Sequence, residues 1–286
     1  MTIKNPIEWS GAQLVNTAHA FGSLRRSLHH VQETIHSPAP AVRKIAVSDL
    51  FDALRKGFDD FGAYRTDVIF LGVVYAVAGL VLARLAFGMD MLPLVFPLAS
   101  GFALIGPIAA IGLYEMSRRR EQGVEAKFSN AFDVFRAPAA GSVLVLGIAL
   151  IAIFLLWQLA AWLVYRGTLG PAEPASIGAF ARDVLFTGKG HALIAIGVGV
   201  GFLFAVFAMS ISLVSFPLLL DRDVGLDTAI KTSVRAVRMN PVETALWGLI
   251  VAAGLVLGSI PLFIGLVVTI PVLGHATWHL YKKLVA

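Results

Sequence analysis

Five stretches of this chain are too apolar, and run too long without charge, to be core segments of a water-soluble domain. Residues 68–87, 91–114, 142–164 and 192–220 each supply the roughly 20 predominantly apolar residues that cross the hydrocarbon of a bilayer. The fifth, residues 243–281, is long enough for two crossings, and Gly258-Ser259 followed by Pro261 marks a tight turn near its middle. The chain therefore reads as an all-α membrane protein with six transmembrane helices at about 68–87, 91–114, 142–164, 192–220, 243–260 and 262–281. Composition agrees, with 57% hydrophobic and 14% charged residues, against about 45–50% and about 25% in soluble domains.

A recurring pattern groups the six helices into three hairpins. Apolar residue, two spacers, Ala, apolar residue occurs as Leu50-Phe-Asp-Ala53-Leu54, Phe128-Ser-Asn-Ala131-Phe132 and Leu226-Asp-Thr-Ala229-Ile230, once before each pair of crossings. Around these lie apolar stripes at helical spacing: Leu50, Leu54, Phe58 and Phe61; Phe128, Phe132 and Phe135; Leu226, Ile230, Val234 and Val237. Such stripes suit an amphipathic elbow helix half-sunk in the interface before the chain turns into the bilayer. Asn240-Pro241 ends the third elbow, because the residue before proline is pushed out of helical geometry. Asp67, Ser142 and Glu243 then sit where they would cap the first, third and fifth crossings.

Lys and Arg set the orientation. Of 23 such residues, only four fall on the opposite side: Arg84, in the last turn of the first crossing, and Arg166, Arg182 and Lys189, between the third and fourth. The rest lie before the first crossing, in the two alternate loops and in the tail, so both termini and all three elbows are expected in the cytoplasm. The pI of about 9.6 follows from that topology and does not indicate a nucleic-acid partner. Residues 1–41 form a separate leading segment, with an amphipathic helix over 8–36 and a Ser37-Pro-Ala-Pro40 linker; residues 42–286 form the six-helix domain. The first 36 residues hold no apolar run of signal-peptide type, so the first crossing is expected to act as its own insertion signal.

The membrane interior offers little chemistry. Charge is absent between the ends of the second to fifth crossings, which weighs against an ion-coupled transporter or a polar channel. Gln158, Ser210, Ser212 and Ser215 are expected to hydrogen-bond between helices, and Gly197, Gly199, Gly201, Gly254 and Gly258 to let helices approach. Pro93, Pro97 and Pro107 should kink the second crossing, and Trp157, Trp162, Tyr165, Trp247, Trp278 and Tyr281 fall near helix ends as an aromatic belt does. In the outer loop, Ile177, Phe180, Val184 and Leu185 suit a surface helix. With no cysteine, disulfides and thiolate metal sites are excluded. His275 and His279 share a helix face, where a third ligand such as Asp221 or Glu115 would be needed to hold a metal. The simpler reading is an interfacial pair, with no cofactor and no metal. Asp221, Arg222 and Asp223 form a charged block at the end of the fourth crossing; they would bind a cation or basic partner, or else anchor the helix at the surface and cap the next elbow.

The stretch PLLLDRDVGLDTAIKTSVRAVRMNP, with the leading VRKIAVSDLFDALRKGFDDF, resembles an uncharacterised family of bacterial integral inner-membrane proteins, domain of unknown function 2189. The likeness spans roughly residues 42–284 and implies the membrane fold; the family brings no established activity or catalytic residue. Some members are labelled cytochrome c oxidase subunits. Here only His191, His275 and His279 lie near the membrane and cysteine is absent, so the metal ligands of a catalytic oxidase subunit are missing. The expected function is a non-enzymatic scaffold or accessory subunit whose partners are the lipid bilayer and other membrane-protein subunits. The alternative is a transporter or binder of a lipid or small amphiphile, with the serines of the fourth crossing lining its cavity.

Overall fold

The computed structural model describes residues 37–63, 92–124, 137–170, 174–261 and 264–286, with Val77, Arg84 and Val134 as single positions. The expected helix over 8–36, nearly all of the first crossing and nearly all of the second elbow lie outside these residues. The described residues form ten α-helices: α1 Val47–Ala63, α2 Val95–Ala109, α3 Ile111–Glu121, α4 Ala140–Thr168, α5 Ile177–Phe186, α6 Gly188–Ser212, α7 Ser215–Asp221, α8 Leu226–Met239, α9 Pro241–Ser259 and α10 Leu266–Leu284.

Among the described residues, three stretches are long and apolar enough to cross a membrane: Ala140–Thr168, Gly188–Asp221 (α6 running into α7) and Pro241–Ser259. A fourth, Leu92–Gly101 plus Ala103–Ala109, is bent by 43° between its halves and counts as a span only if the two act as one. Pro107 lies inside this helix. It has no N–H for the carbonyl four residues back, and its ring crowds that carbonyl, so the break falls about one turn before it. α10, the expected sixth crossing, is not among these spans.

α1 runs antiparallel to the C-terminal half of α10. Asp49 meets Lys283 near one end, and Gly57 meets Ala276 near the other. At Gly57 a Cβ would lie 2.7 Å from Ala276 Cβ and 2.7 Å from the Val272 carbonyl, so glycine lets the two backbones touch. The buried face of α1 is Leu50, Ala53, Gly57 and Asp60, not the expected stripe; Leu54 and Phe61 are half-buried and Phe58 is exposed. α8 shows a similar shift. Thr228, Ala229, Thr232, Ser233 and Ala236 are buried, while Leu226, Ile230, Val234 and Val237 are half-buried. In both helices small residues face inward, because close helix approach selects for size before hydrophobicity.

The extended segment before α1 is fastened on two sides. Val42 bridges Val285, with Arg43 N–H donating to the Leu284 carbonyl at 2.8 Å. Ser37 accepts from Gly225 N–H and, through its carbonyl, from Thr228. Asn240 closes the other end: its Oδ1 accepts from Ile45 N–H at 2.9 Å and its Nδ2 donates to the Arg43 carbonyl at 3.0 Å. The expected caps at Ser142 and Glu243 are replaced. α4 begins two residues before Ser142 with no side-chain cap, and α9 starts with Pro241 at its first position.

Several membrane-interior expectations change. Ser210 and Ser212 bond the carbonyl four residues back in their own helix, and Ser215 bonds the Ile211 carbonyl across the α6–α7 junction, all within one span. Gln158 does cross between helices, donating to the Pro97 carbonyl at 3.1 Å, as does Trp157 Nε1 at 3.1 Å. A Cβ on Gly201 would press on Trp157, and one on Gly254 or Gly258 would press on α10 residues, but Gly197 and Gly199 face open space. Trp157, Tyr165, Trp247, Trp278 and Tyr281 are buried core residues, not a belt; Trp162 is exposed.

Candidate functional site

Among the described residues, polar chemistry concentrates at the end of the bundle where α1, α3 and α10 meet. The hub is Asp60 on α1, only 4% exposed. Its Oδ2 accepts from Ser117 of α3 at 2.5 Å and contacts His279 Nε2 of α10 at 2.9 Å, and its Oδ1 accepts from Arg120 at 2.5 Å. Ser117 Oγ also lies 2.8 Å from His275 Nδ1, which is 3.9 Å from Asp60 Oδ2. Since the Ser117 proton goes to Asp60, the ring must donate from Nδ1, and this fixes its tautomer. His275 Nε2 is then buried without a hydrogen-bond partner. Burial pushes the Asp60 carboxyl upward, but chiefly the bonds from His279 and Ser117 outweigh it, leaving its pKa below the ordinary carboxylate value.

A serine, two histidines and an aspartate in one cluster suggest a nucleophilic triad, and the geometry does not support one. Acyl-transfer triads place imidazole between the hydroxyl and the carboxylate. Here the hydroxyl sits between carboxylate and imidazole, and Ser117 is fully buried, out of reach of a substrate. The arrangement locks three helices together.

Surrounding charges are paired off in the same way. Glu115, buried on α3, takes two bonds from Arg118 and one from Arg119 at 2.8–2.9 Å. Donating to Glu115 holds the Arg118 guanidinium above its ordinary pKa. Lys283 sits between Asp49 at 2.9 Å and Asp52 at 2.8 Å. Its pKa is raised by those carboxylates; Asp49 is lowered chiefly by the Ala46 N–H, and Asp52 chiefly by Lys283.

The charged block at the end of the α6–α7 span divides. Asp221 accepts from the Tyr281 hydroxyl at 2.7 Å and from Lys282 at 3.3 Å, tying α7 to α10. Arg222 donates to the Ala286 carbonyl, and Asp223 is exposed in the turn before α8. The N-cap position of α8 is Gly225, which brings no side-chain cap of its own. His275 and His279 do converge, but on Asp60; Asp221 and Glu115 are engaged elsewhere. Among the described residues no group of three His, Cys, Asp or Glu could hold a metal ion. Asp60, Ser117 and Arg120 escaped the sequence reading because each sits in a locally ordinary helix, and only the α1–α10 pairing brings them together.

The opposite end of the bundle holds an apolar cavity of about 360 Å³ between the start of α2, the C-terminal half of α4, the surface helix α5 and the start of α6. Phe180 and Val184 of α5 face it, while Ile177 and Leu185 are exposed as expected of a surface helix. None of Ser210, Ser212 and Ser215 lines it.

These features define a multi-pass helical membrane protein. Residues 95–221 match the model of the family described as "Predicted integral membrane protein (DUF2189)". The match runs from the start of α2 to the end of α7; the leading segment and the Asn240-Pro241 closure lie outside it. No curated protein and no solved structure matches the chain.

Proposed function

We propose that the chain is a non-enzymatic accessory subunit or scaffold of a larger bacterial inner-membrane assembly, crossing six times with both termini in the cytoplasm. In this reading the α1–α3–α10 cluster is its cytoplasmic base. The observation that carries it is the Gly188–Asp221 span, of whose most apolar window only 6% is buried by the rest of the chain. Ile196, Phe202, Leu203 and Phe207 are all exposed on it. A partner's transmembrane helix would cover this face, while the cluster holds the base rigid. The test is a photoreactive side chain at Phe202 or Leu203, activated in native membranes. A discrete adduct with one other membrane protein is expected; adducts with lipid alone would contradict the reading. A second reading, binding of a lipid or small amphiphile, is favoured by the apolar cavity at the other end of the bundle.

A further inference from the structure

The cavity is lined by Phe96, Trp157, Ala161, Phe180, Val184 and Gly197, among other apolar residues. At about 360 Å³ it falls within the range of small-molecule sites. The one polar group on a lining side chain, the Trp157 indole N–H, is already given to the Pro97 carbonyl. Nothing in such a lining recognises a polar ligand, and water gains too few partners there to fill it. The cavity also opens sideways. Its lining residues Phe96, Ile194 and Val198 are 62%, 41% and 54% exposed. Since α4 and α6 are membrane spans, that opening faces hydrocarbon.

Basic residues stand at the same end. Arg166 follows the lining residue Val164 by two positions, and Lys189 precedes Leu193 by four, so both lie within about 6 Å of the lining along their helix axes. Arg166 stacks over the Trp162 ring at 4.7 Å. Neither cation makes an ion pair among the described residues. They are two of only four basic residues outside the strongly basic segments, so charge is placed here against the general bias of the chain.

We propose that this cavity holds one acyl chain of an anionic phospholipid, with its phosphate at the level of Arg166 and Lys189. The inference rests on the second reading above and narrows it to a site and a ligand class.

Two glycines two positions apart, and so on opposite faces of α6, make the test specific. A Cβ on Gly197 or on Gly199 would meet nothing within 4 Å, but only Gly197 lines the cavity. Gly197→Phe fills the site, and Gly199→Phe adds the same bulk to the same helix elsewhere. The full chain is delipidated in mild detergent, titrated with phosphatidylglycerol or phosphatidylcholine, and weighed by native mass spectrometry. Wild type should retain one phosphatidylglycerol, and Gly197→Phe should weaken it by at least about tenfold, or about 1.4 kcal/mol, while Gly199→Phe matches wild type. Arg166→Gln with Lys189→Gln should remove the preference over phosphatidylcholine. Wild type binding neither lipid overturns both the site and the lipid-binding reading. Wild type binding lipid equally in both glycine variants, or losing it equally in both, overturns the site alone, as does a dimer that forms in place of the lipid adduct. Equal affinity for the two headgroups overturns the anionic assignment. If Gly197→Phe fails to fold, phosphatidylglycerol with brominated acyl chains decides on folded protein: it should quench wild-type fluorescence, and Trp157→Phe should remove that quenched component.

Discussion

Asp60→Ala should be among the most destabilising single substitutions in the described part of the chain. The carboxylate is nearly fully buried and takes hydrogen bonds from three groups on two other helices. Removing one member of a buried ion pair costs about 3–5 kcal/mol, because the remaining charges keep their desolvation penalty. Arg120 is 39% exposed and can turn to water, so the lower part of that range applies, about 3 kcal/mol. Asp60→Asn keeps the shape and one acceptor but loses the charge, for about 2 kcal/mol, in line with hydrogen bonds to charged groups. The assay is chemical unfolding in detergent micelles, followed by tryptophan fluorescence, since Trp278 packs on Tyr281 beside the cluster. Asp59, adjacent and exposed, is the control; its alanine variant should fall within about 0.5 kcal/mol of wild type. Adding Ser117→Ala to Asp60→Ala should show a coupling of about 1–3 kcal/mol. Equal stability of Asp60→Ala and Asp59→Ala would refute the reasoning.

Acid sensitivity follows from the same carboxylate. Its folded-state pKa lies below the ordinary value of 3.8, so its contribution is complete above that value and is lost as pH falls through the folded-state pKa. Stability measured down through this range should drop in wild type and drop less in Asp60→Asn. Gly57→Ala should cost about 1–3 kcal/mol by forcing α1 from α10, despite better helix propensity. Gly62→Ala, in open space on the same helix, should be neutral or gain up to about 1 kcal/mol. Asn240→Ala strips the Ile45 N–H and Arg43 carbonyl of their partner, for about 1–3 kcal/mol, and hydrogen exchange at the Ile45 amide should quicken.

Three of the six expected spans were legible in the sequence because the bilayer imposes a length and a composition that no neighbour can alter. The α4, α6–α7 and α9 spans lie within a few residues of their expected bounds. Helix faces were less legible. Hydrophobicity picked out Leu226, Ile230, Val234 and Val237, whereas α8 buries Thr228, Ala229, Thr232, Ser233 and Ala236. Periodicity marks what avoids water, and both faces of such a helix do so in different degrees. His275 and His279 were rightly seen as sharing a face, but their partner Asp60 lies more than two hundred residues away in the chain. Nothing local announces it. Asn240 was read only as a helix terminator, though its side chain holds the segment leading into α1.

The reading of the chain as a subunit is most directly tested by the mass of the native particle, extracted with its surrounding lipid into polymer-bounded discs without detergent. The account predicts one copy of this chain with a second, different membrane protein at fixed ratio, and loss of that partner when Phe202 and Leu203 are both changed to Ala. A particle holding only this chain and lipid, unchanged by the same substitutions, would contradict it.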